Sequence, residues 1–302
     1  MLALASFLGG AILLWAGAAA AHAGAAPDEG LGWSFDAWTT VPLVVGGLLL
    51  GLGWMRLARR TVHGTATLRR RAGLLALGWA GLVLALVSPM AAAGHLSFSA
   101  HMLQHEILML WSAPLLVLGR PLAFLIWGLP EAARPGLARL LHAPVLVHLG
   151  RGLTHPVAAT LLQSAVLWLW HAPQLFERAL DIPAWHVAQH MSFFLSALAF
   201  WVAMIDRCPR TLAGRCLAAL CLFATSLVSG ALGALMAISE SPWYAGYARL
   251  GLTPLGLSPA EDQQLAGLLM WVPGGLLHAA AALALLAGAF RLSLDVPHAR
   301  QS

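Results

Sequence analysis

The chain has 302 residues, of which 60% are hydrophobic and only 10% charged. With a mean hydropathy of +0.78, this balance excludes an ordinary soluble domain and points to a polytopic membrane protein. All seventeen basic residues are arginine, and no basic patch interleaved with aromatics accompanies them, so a nucleic-acid partner is not expected.

In chain order, residues 1–23 form an apolar run ending in Ala21-His22-Ala23, an Ala-x-Ala site ahead of a polar stretch to residue 30. This reads as a signal peptide. It lacks a basic residue at its start, which leaves an uncleaved extra helix as the alternative. An extracytoplasmic segment, 24–37, follows.

Seven further apolar stretches are long enough to cross about 30 Å of hydrocarbon at about 1.5 Å per residue. They fall near 38–57, 72–90, 100–118, 156–171, 185–205, 212–238 and 263–290. The fourth is short, with residues 144–156 as a tilted or interfacial approach to it. The expected fold is therefore an all-α polytopic membrane protein, with a seven-helix transmembrane domain over 38–291 and a cytoplasmic tail over 292–302.

The arginines orient it. Fifteen fall in the loops that follow the first, third, fifth and seventh stretches or at their margins, against Arg178 and Arg249 on the other side. Cytoplasmic loops collect positive charge, so the mature N-terminus is expected outside and the C-terminus in the cytoplasm. The basic excess then reports orientation and contact with anionic lipid. Residues 119–155, with four prolines, read as a surface-lying loop of short amphipathic pieces. Residues 239–262 form the other long connection, where Trp243, Tyr244 and Tyr247 suit an aromatic belt at the membrane interface. Cys208, Cys216 and Cys221 surround one helix start without Cys-x-x-Cys spacing, and no structural disulfide is expected.

Two apolar segments carry the same polar signature, His101-Met102-Leu103-Gln104-His105 and His186-Val187-Ala188-Gln189-His190. Residues four apart stack on one helix face, about 6 Å apart in rise, so each pair of imidazoles can grip one metal ion. His171, held at a helix end by Pro173, joins them on the predicted outer side, and His95 lies close by. Polar groups at membrane depth are costly and mark function, and a bound metal would offset that cost. The expected ligands are His101, His105, His171, His186 and His190. Imidazole suits copper and zinc, while thioethers such as those of Met102, Met191 and Met236 prefer Cu(I). Gln104 and Gln189 read as partners that fix imidazole tautomers. Glu106 reads as a counter-charge or proton relay, and Gln263 and Gln264 as further groups facing the same cavity. Asp262 is expected to cap the last helix. His278, deep in that helix, receives no role.

Further motifs follow the first signature: Ala113-Pro114 through Gly119-Arg120-Pro121, Trp170-His171-Ala172-Pro173, Gln189-His190, and residues 261–274 from Glu261 to the Pro273-Gly274 pair. Together, over about 33–291, they resemble the CtaG-type cytochrome c oxidase assembly factors. The resemblance implies a bacterial inner-membrane protein that serves a copper-haem oxidase by delivering copper, with an oxidase subunit and an extracytoplasmic copper donor as partners. Nothing in the sequence reads as a phosphate-binding loop, a nucleophile elbow or a paired-carboxylate hydrolase site, and no enzymatic activity is expected. A haem-binding electron carrier, with histidines on neighbouring helices as axial ligands, and a copper permease are the alternatives. The first lacks a haem attachment motif, and the second a polar path through the full membrane thickness.

Overall fold

A computed structural model gives the structure of the protein and describes residues 31–208 and 211–294. The expected signal peptide, the first part of segment 24–37 and most of the tail 292–302 lie outside the described residues. Every described element is helical, and no strand occurs among them. The long helices are α1 (Ala37–Arg60), α2 (Thr65–Val87) and α3 (Phe98–Gly119). Three shorter ones follow, α4 (Pro121–Gly128), α5 (Arg134–Leu141) and α6 (Pro144–Leu153). The chain continues through α7 (Pro156–His171), α8 (Pro173–Asp181), α9 (Pro183–Ile205), α10 (Leu212–Ile238) and α11 (Pro259–Leu294).

Six of these, α1, α2, α3, α9, α10 and α11, are long and apolar enough to cross a membrane. The fourth expected stretch folds as α7, whose 16 residues span about 24 Å, less than a full hydrocarbon thickness. Prolines punctuate the chain here. Pro144, Pro156, Pro173 and Pro183 each open a helix at its first turn, where a missing N–H costs nothing.

α3 and α9 are the central pair: 67% of the most apolar window of each is buried, against 22% in α1 and 17% in α11. α3 packs against α2, α9 and α11; α7 sits between α9 and α10; α10 and α11 form a long hairpin. That hairpin closes on small residues. A Cβ at Gly233 would lie 2.7 Å from the Gly267 carbonyl oxygen, so the backbones approach as membrane helices do when small residues allow it.

Within 119–155, α5 and α6 are short amphipathic pieces as expected, whereas the first part differs from a surface loop. α4 is apolar on all sides and packs along α1, with Phe124 buried and its carbonyl against Gly53. Arg56 Nη1 donates to the carbonyls of Trp127 and Leu129, both at 2.8 Å, and of Gly128 at 3.1 Å. A guanidinium thus satisfies the orphan carbonyls at the end of α4.

α3 is not a uniform α-helix. Over Ile107–Ser112 it widens into a π-helix, directly beneath His105 and Glu106. Pro114 has no N–H to donate to the carbonyl four residues back, and its ring would crowd that carbonyl. The N–H of Ala113 instead reaches back five residues to Leu108, and the carbonyl of Met109 accepts from Trp201 Nε1 at 2.9 Å. A side chain from α9 thereby satisfies a backbone group on the widened turn, as such turns require.

Candidate metal centre

The histidine cluster forms where the N-terminal half of α3 meets the start of α9. Its position is set from across the bundle. Asp262, on the first turn of α11, accepts from Phe98 N at 2.6 Å, Ser97 Oγ at 2.9 Å, Ser99 Oγ at 2.5 Å and Ser99 N at 3.3 Å. It caps α3, not its own helix as expected. α11 begins one turn earlier than the sequence suggests, and there Ser258 and Glu261 make a reciprocal capping box, with Glu261 Oε2 2.8 Å from Ser258 N and Ser258 Oγ 3.4 Å from Glu261 N. This leaves Asp262 free to hold the helix that carries His101.

Within α3, His101 and His105 lie with ring centroids 4.5 Å apart, and within α9, His186 and His190 lie 4.3 Å apart. Across the two helices, His101 is 5.4 Å from His186 and 5.8 Å from His190, and His105 is 4.9 Å from His190. Nitrogens of His101, His186 and His190 all fall within 4.8 Å of one another. His105 lies beneath this trio with both ring nitrogens unpaired, and His101 Nε2 and His190 Nε2 are likewise without hydrogen-bond partners. His101 and His105 are each 2% exposed, whereas His186 and His190 are only partly buried. The cluster is thus closed below and open at its rim, where exposed His95 lies 5.9 Å from His186.

His171 stands beside the cluster. Its Nδ1 lies 2.7 Å from the Leu167 carbonyl, which can only accept, so the proton belongs on Nδ1. Nε2 then turns its lone pair toward Met102 Sδ at 3.4 Å. An imidazole nitrogen and a thioether, both good donors to a soft cation, face each other with no proton between them. Met102 is completely buried.

The amides divide. Gln189 is fully buried against His101. Gln104 faces the other way, donating to the Ala85 carbonyl at 2.9 Å and so bracing α3 against α2. Gln263 ties the 239–258 connection to α11, accepting from Trp243 N at 2.6 Å and donating to the Ser241 carbonyl at 3.2 Å. Gln264 donates to the Ser239 carbonyl. Glu106 is buried on the far side of α3 from the trio and lines a separate internal cavity with His278.

The roof of the cluster is aromatic. Phe176 on α8 is fully buried; it stacks on Tyr244 at 4.0 Å and stands 5.6 Å from His101 and 6.2 Å from His171. Phe193 lies 4.6 Å from His105. Tyr244 and Tyr247, expected at a lipid interface, are 1% and 7% exposed. Their hydroxyls donate to the carbonyls of His171 at 2.9 Å and Gly94 at 2.6 Å, and burial pushes the pKa of each phenol upward, which keeps them neutral donors. Sequence reasoning missed this roof. The one available signal was the amphipathic pattern of residues 173–181, which puts Phe176 and Ala179 on a single buried face.

Comparison with known proteins agrees with the residue pattern. The family model described as cytochrome c oxidase caa3 assembly factor (Caa3_CtaG) matches residues 48–291. The chain belongs to that family. The match takes in α3, α7, α9 and α11, so all five histidines lie on Caa3_CtaG family sequence. Uncharacterized proteins of Mycobacterium bovis and Mycobacterium tuberculosis are each 30% identical over 257 residues, covering 79% of this chain and 36% of theirs. The chain therefore spans about a third of the length of these relatives. No solved structure matches it.

Proposed function

We propose that this chain is a non-catalytic assembly factor of the bacterial inner membrane that holds Cu(I) at its outer face and passes it to a cytochrome c oxidase subunit. The observation that carries this reading is the approach of His101, His186 and His190 nitrogens to within 4.8 Å of one another, made by His pairs from two helices. Neutral imidazoles so grouped suit copper. His105 below and the His171–Met102 pair alongside supply further exchangeable donors. A carrier needs such a set, because cargo must leave as well as bind. A haem is less well accommodated, since the imidazoles contact one another at 4.3–5.8 Å where a macrocycle would need to lie between axial ligands.

In this reading the domain crosses the membrane seven times, with α7 as the short crossing. Its burial between α9 and α10, away from lipid on those faces, supports that assignment, as does the arginine distribution, which sets the histidine end outside. The copper donor and the oxidase subunit would then both be met from the extracytoplasmic side, at the rim formed by His95, His186 and His190.

The test is copper binding by the full chain purified from membranes without chelator. Wild type should retain Cu(I) against a chromophoric Cu(I) chelator, while the His101→Ala/His190→Ala double variant should release it. In cells the same variant should leave the oxidase with haem but without copper. Normal copper retention by the double variant together with failed assembly would turn the histidines into a partner-docking surface and end the copper-holding reading.

A further inference from the structure

Below the histidine cluster, separated from it by one turn of α3, lies a second polar cavity inside the bundle. Glu106, Met109 and Leu110 from α3 line it, with Gln163 from α7, Thr225 from α10, and Met270 and His278 from α11 contributing the rest of its chemistry. It has room for about one water molecule or one ion. Four of its side chains, Glu106, Gln163, Thr225 and His278, are 9% exposed or less. Each has an atom without a hydrogen-bond partner, namely Glu106 Oε2, Gln163 Oε1, Thr225 Oγ1 and His278 Nδ1. Four unpaired polar atoms from four different helices are an unusual concentration for a membrane interior, where each costs free energy unless something satisfies it.

Glu106 Oε2 and Gln163 Oε1 are acceptors, Thr225 Oγ1 and His278 Nδ1 can accept as well as donate, and no arginine is among the cavity's lining residues. What is missing is therefore a cation or a donor. The composition narrows the choice. Two thioethers, Met109 and Met270, both nearly fully buried, line the same space as the His278 imidazole. Sulfur and imidazole donors select a soft ion, and hard alkali or alkaline-earth cations gain little from thioethers. One carboxylate balances one positive charge, so a monovalent soft ion enters this low-dielectric space as a neutral pair, whereas a divalent ion leaves a net charge. His278 is also held in place: its ring stacks on Trp201 at 5.8 Å with 6° between planes and meets Phe200 edge-on at 5.8 Å. Trp201 in turn donates to the Met109 carbonyl on the π-turn, so one indole positions both the imidazole and the turn that presents Met109.

We infer that this cavity is a second, intramembrane Cu(I) station, with His278, Met109 and Met270 as ligands and Glu106 as the counter-charge. The inference rests on the reading of the outer cluster as a copper site. It adds that an ion leaving the trio has a next position one helical turn down, along the sequence His101, His105, Met109 on α3. Met109 lies on the widened turn over 107–112 and meets α7 there, where Gln163 Nε2 reaches its sulfur at 3.4 Å.

The experiment counts Cu(I) per full-length chain in lipid nanodiscs, under reducing conditions and in ordinary sodium buffer, by competition with a chromophoric chelator. Wild type should take up two ions. His101→Ala/His190→Ala should lower the count to one, and the remaining ion should show sulfur scattering in X-ray absorption that Met270→Leu removes. His278→Phe and Met270→Leu, each in the wild-type background, should also lower the count to one while leaving the outer ion bound. Both replacements keep shape and stacking, and a monodisperse elution with unchanged helicity checks the fold. A wild-type count of one that is lost in His101→Ala/His190→Ala and untouched by His278→Phe and Met270→Leu would overturn the inner station while leaving the outer one standing, with a bridging water or a sodium ion in the cavity. A count of one that survives His101→Ala/His190→Ala and disappears with His278→Phe would keep the inner station and sink the outer reading. A count of zero sinks both.

Discussion

At the scale of single residues, the two glutamines of the repeated His-x-x-Gln-His signature have different jobs. Gln189 lies against His101, placed to hold that imidazole in one tautomer. Gln104 instead spends its amide on the Ala85 carbonyl. Gln189→Ala should therefore weaken Cu(I) binding by about 10- to 100-fold, read by chelator competition. Gln104→Ala should leave the affinity near wild type and lower thermal stability by about 1–3 kcal/mol through the stranded carbonyl. Equal losses of affinity in the two variants would show that the signature acts as a symmetric unit after all. His190→Ala should cost more affinity than either, yet not reduce protein abundance, because removing an imidazole whose Nε2 is buried and unpaired relieves a desolvation penalty.

At the scale of elements, α3 is governed by contacts made at its first turn and at its middle. Asp262 holds its first turn through two backbone N–H groups and two serine hydroxyls, an arrangement that joins capping to the favourable interaction of an anion with a helix N-terminus. Asp262→Ala removes all of it. The expected outcome is a loss of about 2–4 kcal/mol, from the strength of hydrogen bonds to a charged group, seen as a lower unfolding temperature together with weakened copper retention, since His101 begins on the turn so held. Retained copper affinity at a lowered unfolding temperature would mean that α9 alone positions the site. At the middle of α3, Trp201→Phe strands the Met109 carbonyl of the π-turn. It should destabilise by about 1–3 kcal/mol, whereas Trp168→Phe, whose indole donates to the Val228 carbonyl at an exposed position, should cost less in the same unfolding assay.

At the scale of the whole molecule, the arginine split predicts sidedness. In a variant with Cys208, Cys216 and Cys221 replaced, a cysteine introduced at Leu250 should react with an impermeant reagent in intact spheroplasts, and one at Thr65 should react only after permeabilisation. Reaction of both from one side would break the seven-crossing topology and the common outer face of the histidines. The hairpin of α10 and α11 offers a check on packing. Gly267→Leu would drive a side chain into the backbone of Gly233 and Ala237, and folded protein should be lost, whereas Gly51→Leu, which meets open space, should be tolerated in expression and elution profile.

The sequence by itself was enough for the membrane class, the helical fold and the long helices, because hydropathy over about 20 residues and a period of 3.6 are local properties that any bundle must respect. The two histidine pairs were legible for the same reason: spacing of four puts His101 above His105 and His186 above His190 whatever the neighbours are. Which neighbour each face meets is not local. The tertiary structure alone decided that Gln104 turns to α2 while Gln189 turns to the histidines, that Asp262 caps another helix, that Tyr244 and Tyr247 roof a cavity in place of facing lipid, and that Glu106 and His278 line one space from separate helices. The π-turn stands between the two cases. Pro114 announces a break in the backbone ladder, but the partner that satisfies the Met109 carbonyl, Trp201, comes from α9, 92 residues away.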